Sequence, residues 1–236
     1  MPQPPTLSVV IPIHNEAGYL PEALLRLTAE LESLGTGYEV ILAENGSTDG
    51  TGRVAADLAR TYRGTLRILN LPYPDYGAAM RAGFRQAAGE WIVNFDIDYF
   101  SGDFLRAALA LADSADVVLA SKRAPGADDR RGTLRRMGTR VFNLLLRLLF
   151  RSSVSDTHGM KMVRRRVVEA LVPRVISNRD LFDTELVIRA ERAGYRIAEV
   201  PAVVEEQRAA RSSFLRRVPR TIRGLIRIRW ALWRRG

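Results

Sequence analysis

Trp91-Ile-Val-Asn-Phe-Asp-Ile-Asp98 is an apolar run that stops on two carboxylates one residue apart. A hydrophobic strand ending this way carries both carboxylates at its carboxyl end, the edge where open α/β sheets bind ligands. Asp96 and Asp98 repel each other unless a positive charge sits on them, and a hard divalent cation holding a phosphorylated ligand is the usual one. On its own such a pair reads first as a solvated acidic turn, so the surrounding pattern has to decide.

Working outward, apolar runs alternate with helical spacing. Residues 7–13, 38–43, 66–71, 90–95 and 116–120 read as strands, and 19–34, 51–62, 77–88 and 104–112 as helices. The 19–34 helix carries Leu20, Leu24, Leu27, Leu31 and Leu34 on one face, with Pro21 in its first turn. Past a Gly-, Arg- and Asp-rich stretch at 124–140, read as a loop, helices are expected at 141–150, around 164–171 and at 182–193. A strand follows at 195–201, then a strand-to-loop passage at 203–213. This alternation predicts an α/β fold with a doubly wound, mostly parallel sheet and right-handed crossovers. The loops at 14–16, 44–50, 72–77, 96–103 and 121–136 then share one edge with the acidic pair.

Composition narrows the function. The chain has 236 residues, 47% of them hydrophobic, which fits one large domain or two small ones. With no cysteine there is no disulfide frame, thiol chemistry or Cys-based zinc site. His14 and His158 are too far apart in sequence to suggest a His-rich metal site. Met1-Pro-Gln-Pro-Pro has no basic region leading into an apolar core, so no signal peptide is expected. No window approaches the roughly 18–20 apolar residues of a membrane span.

The net charge of +10 is carried by the tail: residues 208–236 hold ten arginines and no Asp, Glu or Lys. Removing those ten leaves 26 basic and 26 acidic groups, a neutral body unlike that of a nucleic-acid binder. A single domain at 1–207 and an Arg-rich amphipathic tail at 208–236 are expected. In the tail, apolar residues at 218, 222, 225, 226, 230 and 233 oppose arginines at 216, 220, 223, 227 and 234, with Arg229 intruding. Such a helix lies on an anionic membrane surface or packs its apolar stripe on the domain; Trp230 and Trp233 favour the membrane.

Several stretches, in order over 7–215, carry a resemblance. They are Ser8-Val-Val-Ile-Pro-Ile-His-Asn-Glu16, Glu44-Asn-Gly-Ser-Thr-Asp-Gly-Thr51, Gly77-Ala-Ala-Met-Arg-Ala-Gly83 and Asp96-Ile-Asp98. Further along come Asp156-Thr-His-Gly-Met-Lys161, Phe182-Asp-Thr-Glu-Leu186, Gly194-Tyr-Arg-Ile-Ala-Glu-Val-Pro201, and Arg208 with Ser213. Together they resemble the family-2 inverting glycosyltransferases and, within them, the polyprenyl-phosphate (dolichyl-phosphate) mannose and glucose synthases. The chain departs from that pattern at Asn45, where an aspartate is frequent, and at Phe100, where some relatives carry a Gln ligand. Asp103 is the nearest substitute for that ligand. Lys122 replaces an arginine, and Arg211 and Phe214 replace a Gly and a Lys.

The resemblance implies a GT-A type fold with a nucleotide-sugar site at the strand ends. Pro12, Asn15, Glu16, Glu44, Asn45 and Asp96 are then expected at the GDP- or UDP-linked donor. Asp98 with Asp96 would hold Mg²⁺ or Mn²⁺ against the diphosphate. A phosphate-monoester acceptor, with a second pKa near ~6, is largely dianionic at neutral pH and needs cations rather than a base. Lys122, Arg123, Arg130, Arg131, Arg135, Arg136, Lys161 and Arg208 are available, with Arg123, Arg135 and Arg208 preferred and Lys122 next.

Asp183 and Glu185 are the nearest bases for a hydroxyl acceptor; otherwise Glu185 orients an arginine. His158 and His14 stand inside or beside matched stretches. Gly77, Gly83 and Gly159 read as backbone requirements. The expected partners are the nucleotide sugar, a polyprenyl-phosphate lipid and a membrane surface, without nucleic acid and with oligomeric state open. The expected place is the cytoplasm, peripheral to the inner face of the membrane. Two alternatives stand: a hydroxyl acceptor on the same fold, and a non-catalytic basic adaptor or nucleic-acid binder, against which the neutral body argues.

Overall fold

A computed structural model describes residues 6–124, 126–129, 133–157, 159–204 and 214–234. Its first half runs β1 (Leu7–Ile13), α1 (Leu20–Glu32), β2 (Tyr38–Asn45), α2 (Thr51–Thr61), β3 (Thr65–Leu71), α3 (Tyr76–Gln86), β4 (Trp91–Asn94) and α4 (Gly102–Ala110). The second runs β5 (Val117–Ser121), β6 (Asp128–Asp129), α5 (Thr133–Phe150), β7 (Lys161–Arg164), α6 (Arg165–Leu171), α7 (Phe182–Arg192), β8 (Ile197–Pro201), β9 (Val203–Val204) and α8 (Phe214–Arg234). Seven strands form one sheet in the order β3-β2-β1-β4-β7-β5-β8, and β6 pairs with β9 separately. The expected doubly wound, mostly parallel α/β fold is the one observed.

Strands buried on both faces need apolar residues at nearly every position, and Leu-Ser-Val-Val-Ile-Pro-Ile in β1 meets that need. The period of two then sends Leu7, Val9, Ile11 and Ile13 into the core under α1 and α4, and Val10 into the core under α3 and α7.

The antiparallel β7 was not foreseen. It inserts between β4 and β5, setting Lys161 opposite both Asn94 and Leu119. Four residues give too short a pattern to distinguish from the loop before them. α5 starts at Thr133 and takes in residues read as loop, because Arg136 and Arg140 are good helix formers and Gly138 is tolerated.

α8 packs on the body: Leu225, Ile228 and Leu232 are buried with Leu146 and Phe150 of α5, Leu181 and Ile188. Fully burying such a side chain is worth about 1.5–3 kcal/mol. The stripe Val218, Ile222, Ile226, Trp230 and Trp233 remains exposed, as do Met137, Val141, Leu144 and Leu148 of α5. The tail therefore has two adjacent apolar faces, one packed and one open, and two of its packed residues, Ile228 and Leu232, lie outside the expected stripe. Among the described residues no helix is long and apolar enough to cross a membrane.

Candidate active site

The acidic pair stands on a tight turn. Tyr99 N donates to Asp96 O (3.0 Å) and Asp96 N to Tyr99 O (3.3 Å), folding the chain back directly after β4. Asp96 and Asp98 thereby line a cleft of about 460 Å³ together with Pro12, His14, Glu16, Asn45, Tyr76, Arg179 and Arg220. Pro12, Glu16, Asn45, Asp96 and Asp98 are thus gathered as the sequence placed them.

Asn15 and Glu44 are not among the residues lining the cleft; their side chains frame its loops. Asn15 Oδ1 accepts from Thr48 N at 2.9 Å, with Asn15 held at φ 55. Glu44 Oε1 accepts from Ser47 N at 2.6 Å and closes the polar turn. Asn45 has a second task, accepting from Asp75 N at 2.7 Å.

Beneath the acidic pair lies an internal charge network. Lys161 is 1% exposed, and its Nζ donates to Asn94 Oδ1 (2.7 Å) and meets Asp183 Oδ1 (3.0 Å). Tyr76 Oη donates to Asp183 Oδ2 at 2.7 Å. Burial and the neighbouring Asp183 and Asp96 carboxylates hold the Tyr76 hydroxyl well above its usual pKa, so it stays a donor. The protein atoms crowding Asp96, together with the Asp183 and Asp98 carboxylates, push its carboxyl up to about 6, while Lys161 and Lys122 pull it down. Asp96 nevertheless opens to solvent in the cleft, so water offsets part of the burial effect and the like-charge repulsion is the firmer cause.

Three expectations are corrected here. Lys161 is an internal counter-ion of Asp183 and is not presented to an acceptor. Asp183, paired with a cation and a hydroxyl, is poorly placed to take a proton. Glu185 is fully buried, accepting from Ile176 N (3.0 Å), Ser177 N (2.7 Å) and Arg189 Nε (2.7 Å). The expectation that Glu185 orients an arginine matches that geometry; a role as base does not.

Of the expected acceptor cations, Lys122 Nζ lies 3.3 Å from Asp156 Oδ2, and Arg123 is exposed just after β5. Neither is among the residues lining the cleft, and Arg136 is exposed on α5. Arg135 sits near the start of α5 with its side chain outside the described part. Arg130, Arg131, His158 and Arg208 also lie outside the described residues.

Tyr76, Asn94, Arg179 and Arg220 were missed. Arg220 reads in sequence only as part of the tail's arginine row; Tyr76 and Asn94 stand at the start of a foreseen helix and the end of a foreseen strand, where spacing assigns no chemistry, and Arg179 sits in a short segment without a spacing signal. Gly77 is a backbone requirement as expected: a Cβ there would meet Arg179 N at 2.6 Å.

A divalent cation fits the residues present as a shared ligand. Two carboxylates face one cleft, with a third acidic group behind them raising the cost of leaving them uncompensated. Among the described residues no group of three or more His, Cys, Asp or Glu is placed to hold a metal ion by itself. Phe100 packs on Phe95 (ring centroids 6.4 Å apart), and Asp103 is surface-exposed and paired with Arg106 on α4, so neither completes a set. Two protein carboxylates plus phosphate oxygens are a usual Mg²⁺ environment.

This sheet and cleft match known structures. The glucosyl-3-phosphoglycerate synthase of Mycobacterium tuberculosis, solved with Mn²⁺, uridine diphosphate and phosphoglyceric acid, superposes with a TM-score of 0.68 at 22% identity, covering 95% of this chain and 77% of that one. Staphylococcus aureus TarS 1-349 in complex with UDP-GlcNAc gives a TM-score of 0.58 at 20% identity, covering 89% of this chain and 61% of that one. At these identities the likeness concerns the fold, which is the GT-A glycosyltransferase fold.

In sequence, the chain is 34% identical over 210 residues to the glycosyltransferase AglD of Haloferax volcanii, covering 83% of this chain but only 32% of that protein. An uncharacterized glycosyltransferase of Mycobacterium bovis is 32% identical over 197 residues, 82% of this chain and 83% of that protein. Residues 8–172, from the first strand through the acidic pair to α6, match one family's sequence profile, and by that match the chain belongs to glycosyl transferase family 2.

Proposed function

We propose that this chain transfers a sugar, with inversion, from a GDP- or UDP-linked donor to a polyprenyl-phosphate lipid at a membrane surface. The observation that carries this reading is α8. Its Arg220 lines the acidic cleft, and the same helix exposes Val218, Ile222, Ile226, Trp230 and Trp233. A charged donor site and an apolar, aromatic, arginine-bearing face suited to the membrane interface meet on one element. The proposed setting is the cytoplasmic face of a membrane, with the chain peripheral to it.

Pro12, Glu16 and Asn45 hold the nucleoside end of the donor, and Asp96 and Asp98 bind Mg²⁺ or Mn²⁺ at its diphosphate. When bound, the cation supplies neutralisation of the leaving diphosphate. The Lys161–Asp183–Tyr76 network fixes the floor under the reacting atoms. An acceptor phosphate oxygen bonds to the anomeric carbon as the bond from that carbon to the diphosphate oxygen breaks, and the nucleoside diphosphate leaves. The nucleophile is already anionic, so the step needs no protein base. This suits a site whose nearest candidates, Asp183 and Glu185, are both committed to internal partners.

The test is transfer of labelled sugar from GDP- and UDP-sugars to a short-chain polyprenyl phosphate with Mn²⁺ or Mg²⁺. Metal-dependent glycolipid formation is expected. Transfer only to soluble hydroxyl acceptors or to phosphoglyceric acid, with the lipid phosphate inert, would overturn it.

A further inference from the structure

A second cleft, of about 340 Å³, separates the 177–181 segment from α8. Arg179, Arg220, Arg223 and Arg227 line it, and among the described lining residues there is no carboxylate. Arg220, Arg223 and Arg227 follow helical i, i+3, i+7 spacing and so share one face of α8. Arg179 and Arg220 also line the acidic cleft, so the two cavities adjoin.

Both walls are held firmly. Arg81 donates to the carbonyls of Val172 (3.2 Å), Val175 (2.6 Å) and Ser177 (3.0 Å). Glu185 takes the amides of Ile176 and Ser177, and Asp75 Oδ1 takes that of Arg179 at 3.0 Å. Arg179 is kept at φ 53, a left-handed conformation that a side-chain-bearing residue rarely adopts. Strain of this kind persists where the surroundings over-determine it, and it clusters at ligand sites. On the other wall, Gly224 lets α8 approach closely: a Cβ there would meet Leu181 Cδ1 at 2.1 Å.

We propose that this arginine cleft is a phosphate subsite adjoining the acidic cleft, and that it receives the phosphate of an apolar-tailed acceptor. The second clause rests on the lipid-acceptor reading above. Guanidinium forks match phosphate oxygens in paired hydrogen bonds, and several of them offset a dianion. Arg179 and Arg220, on the shared wall, direct the phosphate toward the donor. The exposed stripe from Val218 to Trp230 runs along the same helix and takes the tail. Arg223 and Arg227 therefore set acceptor affinity without touching the donor.

Calorimetric titration of farnesyl phosphate and of inorganic phosphate onto wild type, R223Q/R227Q and R229Q tests this. Arg223, Arg227 and Arg229 are all exposed, and Arg229 lies outside the cleft lining. The double variant is expected to keep the wild-type melting temperature and its Mn²⁺–UDP or Mn²⁺–GDP binding. It is expected to lose at least about tenfold in farnesyl phosphate affinity, the scale of lost charge-assisted hydrogen bonds. R229Q should bind like wild type. Equal binding by R223Q/R227Q and wild type overturns the subsite, as does equal weakening by R229Q, which would mark a diffuse charge effect. Inorganic phosphate bound as tightly as farnesyl phosphate, and lost in the double variant, keeps the subsite and overturns the lipid acceptor.

Discussion

Asp96 and Asp98 lie one residue apart after β4, and Asp183 and Glu185 lie one residue apart at the start of α7. In sequence the two pairs look alike. In the fold the first lines a cleft, while the second is absorbed: Asp183 by Lys161 and Tyr76, Glu185 by Arg189 and two backbone amides. What separates them is the partner across the chain. β7 delivers a buried lysine to Asp183, and the loop before α7 delivers amides to Glu185. The pair on the open turn is left facing the cleft. Spacing locates carboxylates, and the three-dimensional placement of cations and amides decides which of them a ligand meets.

That contrast can be broken in order of expected effect. Lys161→Met leaves Asp183 buried beside Tyr76 without its cation, and a loss of about 3–5 kcal/mol is expected in denaturant unfolding. A loss below about 1 kcal/mol would mean the ion pair is not structural. Asp98→Asn should fold like wild type yet lower kcat/KM for sugar transfer by about 10²–10³-fold, as expected when leaving-group stabilisation is removed; chelation of the metal should reproduce the effect in wild type. Full activity in this variant would make the pair a solvated turn after all.

Glu185→Gln sharpens the contrast between base and buttress. A stability loss of about 1.5–3 kcal/mol is expected from weakening its charged hydrogen bonds. Its kcat should fall less than about tenfold and keep an unchanged pH profile; loss of the low-pH limb, where a carboxylate base becomes protonated, would restore Glu185 as a base. Tyr76→Phe removes one hydrogen bond to Asp183 and should cost about 1 kcal/mol. An undetectable change in thermal unfolding would show that Lys161 alone satisfies Asp183.

The first half of the fold was legible because most of its strands and helices are long enough to show their period, the four-residue β4 is apolar up to Asn94 where β7 begins and ends on charges, and each strand ends on a polar loop. That half also brought Pro12, Glu16, Asn45, Asp96 and Asp98 to one cleft. The second half was less legible for particular reasons. Lys161-Met-Val-Arg164 is too short to announce a strand, and its pairing with Asn94 joins residues far apart in sequence. Glycines and arginines made the beginning of α5 look like a loop. In α8 the apolar residues cover more than half the helix circumference, and periodicity cannot say which part the body covers. Packing chose Leu225, Ile228 and Leu232 and left the tryptophans outside. Arg179 owes its place to a loop conformation that no spacing rule reports.

Asp96 and Asp98 are the charges proposed to meet the donor through a divalent cation. Calorimetric titration of UDP and GDP onto wild type and the D96N/D98N variant, with and without Mn²⁺, tests this most directly. One nucleotide is expected to bind wild type only with the metal, and neither to bind the variant at matched folding. Nucleotide binding that is equally tight without metal, or equally tight in D96N/D98N, would contradict it.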